Sequence, residues 1–163
     1  MKKIYAPWRS EYIKNPSGEG CIFCKAAESK DDRKWFVLSR GEHSFAMMNR
    51  YPYTNGHIMI APYKHTGNLQ ELRLFELNEL MELLQRWQAV ISKAINPDGF
   101  NIGMNIGRTA GAGFEDHLHF HLVPRWRGDT NFMPVVAETK VIPVSLLEGY
   151  ALLKSTYEQE FKD

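Results

Sequence analysis

Apolar positions between Trp35 and Ala61 come in short runs separated by turn formers, which predicts strands over Trp35–Ser39, Phe45–Met48 and His57–Ala61. Arg40-Gly41-Glu42-His43 links the first two as a hairpin, and Tyr51-Pro52-Tyr53-Thr54-Asn55-Gly56 links the second to the third. The period then changes. Leu77, Leu80, Met81, Leu84, Trp87, Ile91 and Ile95 recur at three- and four-residue steps and predict an amphipathic helix over Leu74–Ile95, stopped by Asn96-Pro97-Asp98-Gly99. Two strands follow, Phe100–Asn105 and His117–Val123, joined by a Gly/Ala-rich loop. A short strand near Lys140–Ile142 and a helix over Ser145–Phe161 complete the pattern, the helix with Leu146, Tyr150, Leu153, Tyr157 and Phe161 near one face. This order predicts an α+β domain: a mostly antiparallel sheet with the long helix packed on one face and a second helix at the C-terminal end.

Composition narrows the function classes without choosing one. A chain of 163 residues suits one domain with a real core, and 44% hydrophobic with 24% charged residues is ordinary for a globular protein. The net charge of +1 gives no electrostatic footprint for a nucleic-acid polymer, although a local set of donors can still hold a small anion. The start Met1-Lys2-Lys3-Ile4-Tyr5 has no apolar run behind it, and no stretch approaches the ~20 apolar residues of a membrane span. A cytoplasmic location is the expectation. Trp8 and Tyr12 suggest that the N-terminal stretch is an arm packed on something.

Three of the six histidines fall within His117-Leu118-His119-Phe120-His121. Strand alternation puts the imidazoles on one face, with Leu118, Phe120 and Leu122 on the other. A single strand histidine such as His43 is read as a packing residue. Three in register are expensive as packing, because each buried ring needs partners for both nitrogens. Two chemistries fit: a metal site on neutral imidazoles, or attack on phosphorus by one imidazole oriented by its neighbours. The loop from Asn105 through Gly107, Gly111 and Gly113 leads into the cluster and offers backbone N–H groups at close approach, which favours phosphate. Arg108, Arg125 and Arg127 are further candidate phosphate holders, with plain surface arginines the equal alternative.

His-x-His-x-His after a Gly-rich loop, together with Asn49-Arg50-Tyr51-Pro52-Tyr53-Thr54-Asn55-Gly56-His57-Ile58-Met59-Ile60-Ala61-Pro62, resembles the histidine-triad (HIT) family of nucleotide-binding proteins. The likeness runs from Cys21 to Pro134, leaving residues 1–20 as an arm and 135–163 as a C-terminal strand and helix of the same single domain. The segment Pro124-Arg125-Trp126-Arg127-Gly128-Asp129-Thr130-Asn131-Phe132-Met133-Pro134 is most similar to the branch with bacterial diadenosine tetraphosphate phosphorylases. The resemblance implies a nucleotide substrate cleaved at the α-phosphate through a nucleotidyl-histidine on His119. His121 would contact the transferred phosphate, His117 would orient the triad, and His57 would line the pocket. It assigns Asn49 to the ribose, Met59 to the base (a core methionine is the rival reading), and Asn105, Gly111 and Gly113 to the phosphates or sugar. Relatives often carry Gly-Gln-Ser/Thr before the triad where this chain has Gly113-Phe114, so water and inorganic phosphate both stand as second-step acceptors. A symmetric dimer through the long helix and adjacent sheet is implied as well.

Cys21 and Cys24 have the spacing of half a zinc site, and a disulfide that short would close almost no loop. Resemblance to zinc-bearing family members completes the set with His65 and His117, a structural site with no open position. Two free thiols are the plain alternative. Two other readings compete for the histidines: a nucleotide-binding regulatory module without catalysis, and a three-histidine metal hydrolase with Glu115 or Asp116 as base.

Overall fold

A computed structural model describes residues 20–129, 142 and 144–161. It contains helices α1 (Ile22–Glu28), α2 (Asp32–Trp35), α3 (Leu74–Ile95) and α4 (Leu146–Glu160), with strands β1 (Val37–Arg40), β2 (Ser44–Met48), β3 (Ile58–Pro62), β4 (Gly99–Met104) and β5 (Phe120–Arg125). The strands form one antiparallel sheet in the order β1-β2-β3-β5-β4, so the β4–β5 hairpin returns through the middle and leaves β4 at the edge. The α+β class, the antiparallel sheet and both long helices are as the sequence predicts. The N-terminal arm up to residue 19, the segment 130–134 and all but Ile142 of the expected strand at 140–142 lie outside the described residues.

Each helix has a local cause. The backbone N–H of Arg73 donates to the Glu76 carboxylate at 2.8 Å at the start of α3, and Asn96 takes the left-handed conformation (φ 43°) that ends it. Ser145 and Glu148 form a reciprocal capping box on α4. The buried face of α3 comprises Leu80, Leu83, Leu84, Trp87, Val90 and Ile91. Met81, expected on that face, is 53% exposed, because one step of about 100° from Leu80 carries it round the flank.

Apolar cores lie on both faces of the sheet, where the sequence predicts helix on one. On one side Leu38, Met48, Ile58, Ile60, Leu118 and Leu122 pack against α3 and α4. On the other, Val37, Phe45, Met47, Met59 and Ala61 pack against Phe23 and Ala26 of α1. Helices α1 and α2 are too short to show a hydrophobic period, which is why the sequence pattern misses them. Arg40 anchors α1: its guanidinium donates to the carbonyls of Ala26, Ala27 and Ser29, at 2.8–2.9 Å, and to Asp32. This second core carries the histidines.

Candidate active site

Pairing in β5 begins at Phe120, so His117, Leu118 and His119 form an extended lead-in to the strand, tied by the Leu118 N–H to the Thr66 carbonyl at 2.8 Å. Alternation persists through it. Leu118 enters the core under α3, while His117 and His119 turn to the α1 side, 1% and 4% exposed. The Phe23 ring lies against both, with centroids 5.0 Å from His117 and 4.6 Å from His119. The three imidazoles share a side of the sheet, as expected, but divide between two sites.

Backbone partners fix the tautomers. His119 Nδ1 lies 2.8 Å from the His117 carbonyl, which can only accept; the proton is on Nδ1 and the Nε2 lone pair is free. His57 is fully buried and its Nδ1 accepts from the Tyr53 N–H at 3.1 Å, with the Asn49 amide nitrogen at 3.4 Å. Its proton therefore sits on Nε2, which donates to His121 Nδ1 at 2.9 Å. In the neutral ring His121 then carries its own proton on Nε2. Burial holds the His119 imidazole below its ordinary range, opposed in part by the bond to His117, so the ring is neutral and its lone pair available near pH 7.

His117 faces the other way. Its Nε2–H donates to the Pro62 carbonyl at 2.9 Å, leaving the Nδ1 lone pair toward Cys21 Sγ (3.3 Å), Cys24 Sγ (3.7 Å) and His65 Nδ1 (3.2 Å). Cys24 Sγ is also 3.3 Å from His65 Nδ1, and all four atoms lie within 4.8 Å of one another. Tetrahedral bonds of ~2.3 Å to sulfur and ~2.0–2.1 Å to nitrogen separate ligand atoms by roughly 3.3–3.8 Å, so the cluster has the size of a zinc cage. The carbonyl on Nε2 supplies the outer partner that metal-bound histidines use to fix their orientation. Burial, with Cys21 adding to it, pushes the Cys24 thiol up to about 11; a bound cation would reverse that and release the proton. Among the described residues, this is the group of His, Cys, Asp and Glu side chains that converges on one point, and it is not the three-histidine set.

Burial pushes His117 down to about 4, with His65 and His119 adding to it and the Pro62 bond opposing. An unfolded imidazole at ~6.5 takes up a proton that the folded one refuses, so this contribution is full above ~6.5 and lost as pH falls below it. Metal-free protein is expected to lose roughly 2 kcal/mol between pH 7 and 5 from His117. Urea unfolding of the wild type and His117→Asn at both pH values reads this; equal pH dependence of the two would remove the assignment.

The remaining candidates fall in two places. Met59 is 5% exposed in the second core and sits directly across from His121 in the β3–β5 register. Asn49 lies beside His57, its side-chain oxygen accepting the Tyr51 N–H at 2.9 Å. Gly111 (φ 90°) closes the short turn Arg108–Ala110 and its carbonyl accepts from the Asn105 amide at 3.4 Å; Gly113 is exposed nearby. Phe114, which the departure at Gly113-Phe114 brings in, packs edge-on against Phe23 at 5.7 Å. Arg108 pairs with Glu115 across the loop (2.7 Å). Sequence reasoning missed Tyr53, whose ring is stacked 5.8 Å from His121, and Phe23; the only signal for either was an aromatic beside a motif residue.

A HIT domain model matches residues 31–128, more than half of the chain. The chain belongs to the HIT family. It is 33% identical to an AP-4-A phosphorylase of Mycobacterium tuberculosis, over 98% of this chain and 86% of that protein. It is 32% identical, over 64% of its length and 74% of the relative, to an adenosine 5'-monophosphoramidase of Schizosaccharomyces pombe. The fold matches a zinc-bound histidine triad family protein from Mycobacterium smegmatis with a TM-score of 0.68, at 22% identity over 88% of this chain and 97% of that one. The likeness to the AP-4-A phosphorylase covers 98% of this chain and so runs beyond residues 31–128 that the HIT domain model matches.

Proposed function

We propose that this HIT protein is a nucleotidyl-transferring enzyme that cleaves a dinucleoside polyphosphate at its α-phosphate, with His119 as the nucleophile. The observation that carries the reading is the His119 tautomer: Nδ1–H is committed to the His117 carbonyl, which leaves a neutral Nε2 lone pair beside His121. Nε2 attacks the α-phosphorus, the bond to the bridging oxygen breaks, and the electron pair leaves with the departing phosphate. His121, its Nδ1 held by His57, offers Nε2–H to a phosphoryl oxygen as charge develops, joined by the backbone N–H of Gly113, while the Gly111 and Ala112 N–H groups donate within the turn to the Arg108 and Gly107 carbonyls and hold its shape. Water or inorganic phosphate then attacks phosphorus and returns the electron pair to Nε2. Asn49 would hold the ribose, Asn105 the phosphates or sugar, and Met59 would press on the base from the core side.

The reading includes a structural zinc held by Cys21, Cys24, His65 and His117, an ion that would cross-link α1 to the triad segment and take no part in bond making. It also includes a symmetric dimer, supported by β4 lying at the sheet edge among the described residues and by exposed apolar side chains on β4 and α3, Ile102 and Met81.

Full-chain protein incubated with diadenosine tetraphosphate, with and without phosphate, tests the chemistry by its products. ADP plus ATP formed only with phosphate is the expected result, in line with the AP-4-A phosphorylase relative. AMP plus ATP would make the acceptor water. Turnover of adenosine 5′-phosphoramidate alone would move the substrate assignment to that of the monophosphoramidase relative, and no turnover of either would leave a nucleotide-binding module.

A further inference from the structure

Tyr53 meets the histidines twice, through its backbone and through its ring. Its N–H donates to His57 Nδ1 at 3.1 Å, which places the His57 proton on Nε2, and that proton is donated to His121 Nδ1 at 2.9 Å. Its ring lies against the same two imidazoles. The centroids are 4.6 Å from His57 and 5.8 Å from His121, the second pair stacked at an interplanar angle of 29°. The loop between β2 and β3 fixes this ring in place. The Thr54 hydroxyl donates to the Pro124 carbonyl at 2.8 Å in the interior, and the His57 N–H closes the loop on the Thr54 carbonyl at 3.3 Å. Gly56 takes a φ of 73°, with Ile95 Cδ1 only 2.6 Å from where a Cβ would stand. Pro124 lies on β5 with His121, so tying the loop to that strand keeps Tyr53 in register with the imidazole. Opposite His121, β3 presents Met59 and β4 presents Gly103, which brings no side chain; the aromatic packing of His121 comes from Tyr53, His57 and His119.

We propose that Tyr53 is a positioning residue for the transfer step: its N–H sets the tautomer of His57, and its ring covers the His57–His121 hydrogen bond and so keeps His121 a donor. The inference rests on the nucleotidyl-transfer reading and deepens it, since it names what holds that site in its reactive form. The two neutral tautomers of His121 are opposites at the substrate. One offers Nε2–H to a phosphoryl oxygen; the other points a lone pair at it. The first requires that Nδ1 go on accepting from His57. Water reaching that bond could donate to or accept from either ring and release both tautomers, and an aromatic face laid over the two imidazoles keeps it out. The same face acts again as the reaction proceeds. Charge developing on the phosphoryl oxygens draws positive character onto His121, and a ring quadrupole beside that imidazole favours it. Tyr53 therefore works on turnover through His121 and needs no bond to the substrate.

The test compares Tyr53→Ala and Tyr53→Ser, which keep the N–H and lose the ring, with Tyr53→Phe, which keeps both. Tyr53 is half-exposed, so its truncation leaves no closed cavity in the core. Long-range proton–nitrogen correlation on protein labelled with 15N-histidine reads the tautomers directly at pH about 8, above the ordinary imidazole range. His57→Gln and His121→Gln assign the signals. His121 is expected as the Nε2–H tautomer alone in the wild type and in Tyr53→Phe, and as a mixture of both in the two truncated variants. With diadenosine tetraphosphate, kcat should fall about 10- to 100-fold on truncation while KM stays within about threefold, and Tyr53→Phe should restore kcat to within about threefold of wild type. An unchanged His121 tautomer in the truncated variants overturns the proposal, as does a loss of kcat that Tyr53→Phe fails to restore. A rise in KM alone would make Tyr53 a substrate contact and overturn it as well. Absence of turnover in the wild type would remove the enzymatic reading only, because the tautomers still decide whether the ring holds His121.

Discussion

Substituting His119 with alanine is expected to lower turnover of diadenosine tetraphosphate by about 10⁴-fold or more, with nucleotide affinity nearly unchanged. The size of the effect follows from the ring having no understudy. His121 commits Nδ1 to accepting from His57 and His117 commits Nε2 to Pro62 and Nδ1 to the cysteine cluster, so neither presents the free lone pair that His119 does. His119 is 4% exposed and packs on Phe23, so alanine leaves a small cavity and an unpaired His117 carbonyl. His119→Gln, which keeps an amide donor and more of the volume, separates that cost from the loss of the nucleophile: both variants should be inactive, while the glutamine variant melts closer to wild type. Rapid quench with substrate labelled in the α-phosphate should trap a protein-bound, acid-labile nucleotide in the wild type and none in either variant. Residual turnover within tenfold of wild type would show that another group attacks phosphorus.

Stripping the zinc proposed at Cys21, Cys24, His65 and His117 is expected to produce the largest change in stability. An ion present at about 1,000 times its dissociation constant stabilises the folded state by roughly 4 kcal/mol. For a chain of this size that corresponds to a Tm lower by about 8–16 °C after chelation. Cys24→Ala should reproduce the shift and make it insensitive to chelator. Local geometry explains why activity should fall with it. Cys21 and Cys24 flank Phe23 at the start of α1, and His117 lends its carbonyl to His119. Releasing the four ligands therefore loosens both the packing face and the hydrogen bond that orient the nucleophile. Readdition of zinc should restore Tm and turnover together. Protein that contains no metal as purified, with the same Tm in chelator, would return the cluster to two thiols and two imidazoles.

Much of the fold is legible in the chain because its main elements depend on nearest neighbours. The period of α3 and its stop at Asn96 are local, and so are the three short strands before it. The alternation that turns Leu118 one way and His117 and His119 the other survives even where strand pairing has not begun, since it needs only extended backbone. The same motifs suffice for the family. What alternation and spacing could not supply is what groups far apart in the chain decide; the set Cys21, Cys24, His65 and His117 came from the family resemblance alone. Alternation alone gives all three histidines equal standing. The Pro62 carbonyl, 55 positions from His117, and the Tyr53 N–H on His57 assign the tautomers and send one ring to the cysteines and the others to the open face. Helix α1 is too short to announce itself and exists as a cover for the second core, pinned by Arg40. The glycines of β4 read as weak strand positions until the register sets them opposite His121 and Arg125. Local periodicity determined which elements form and which side chains share a face; long-range pairing decided which polar atom each histidine meets, because a hydrogen bond needs a partner at ~3 Å wherever that partner lies in the chain.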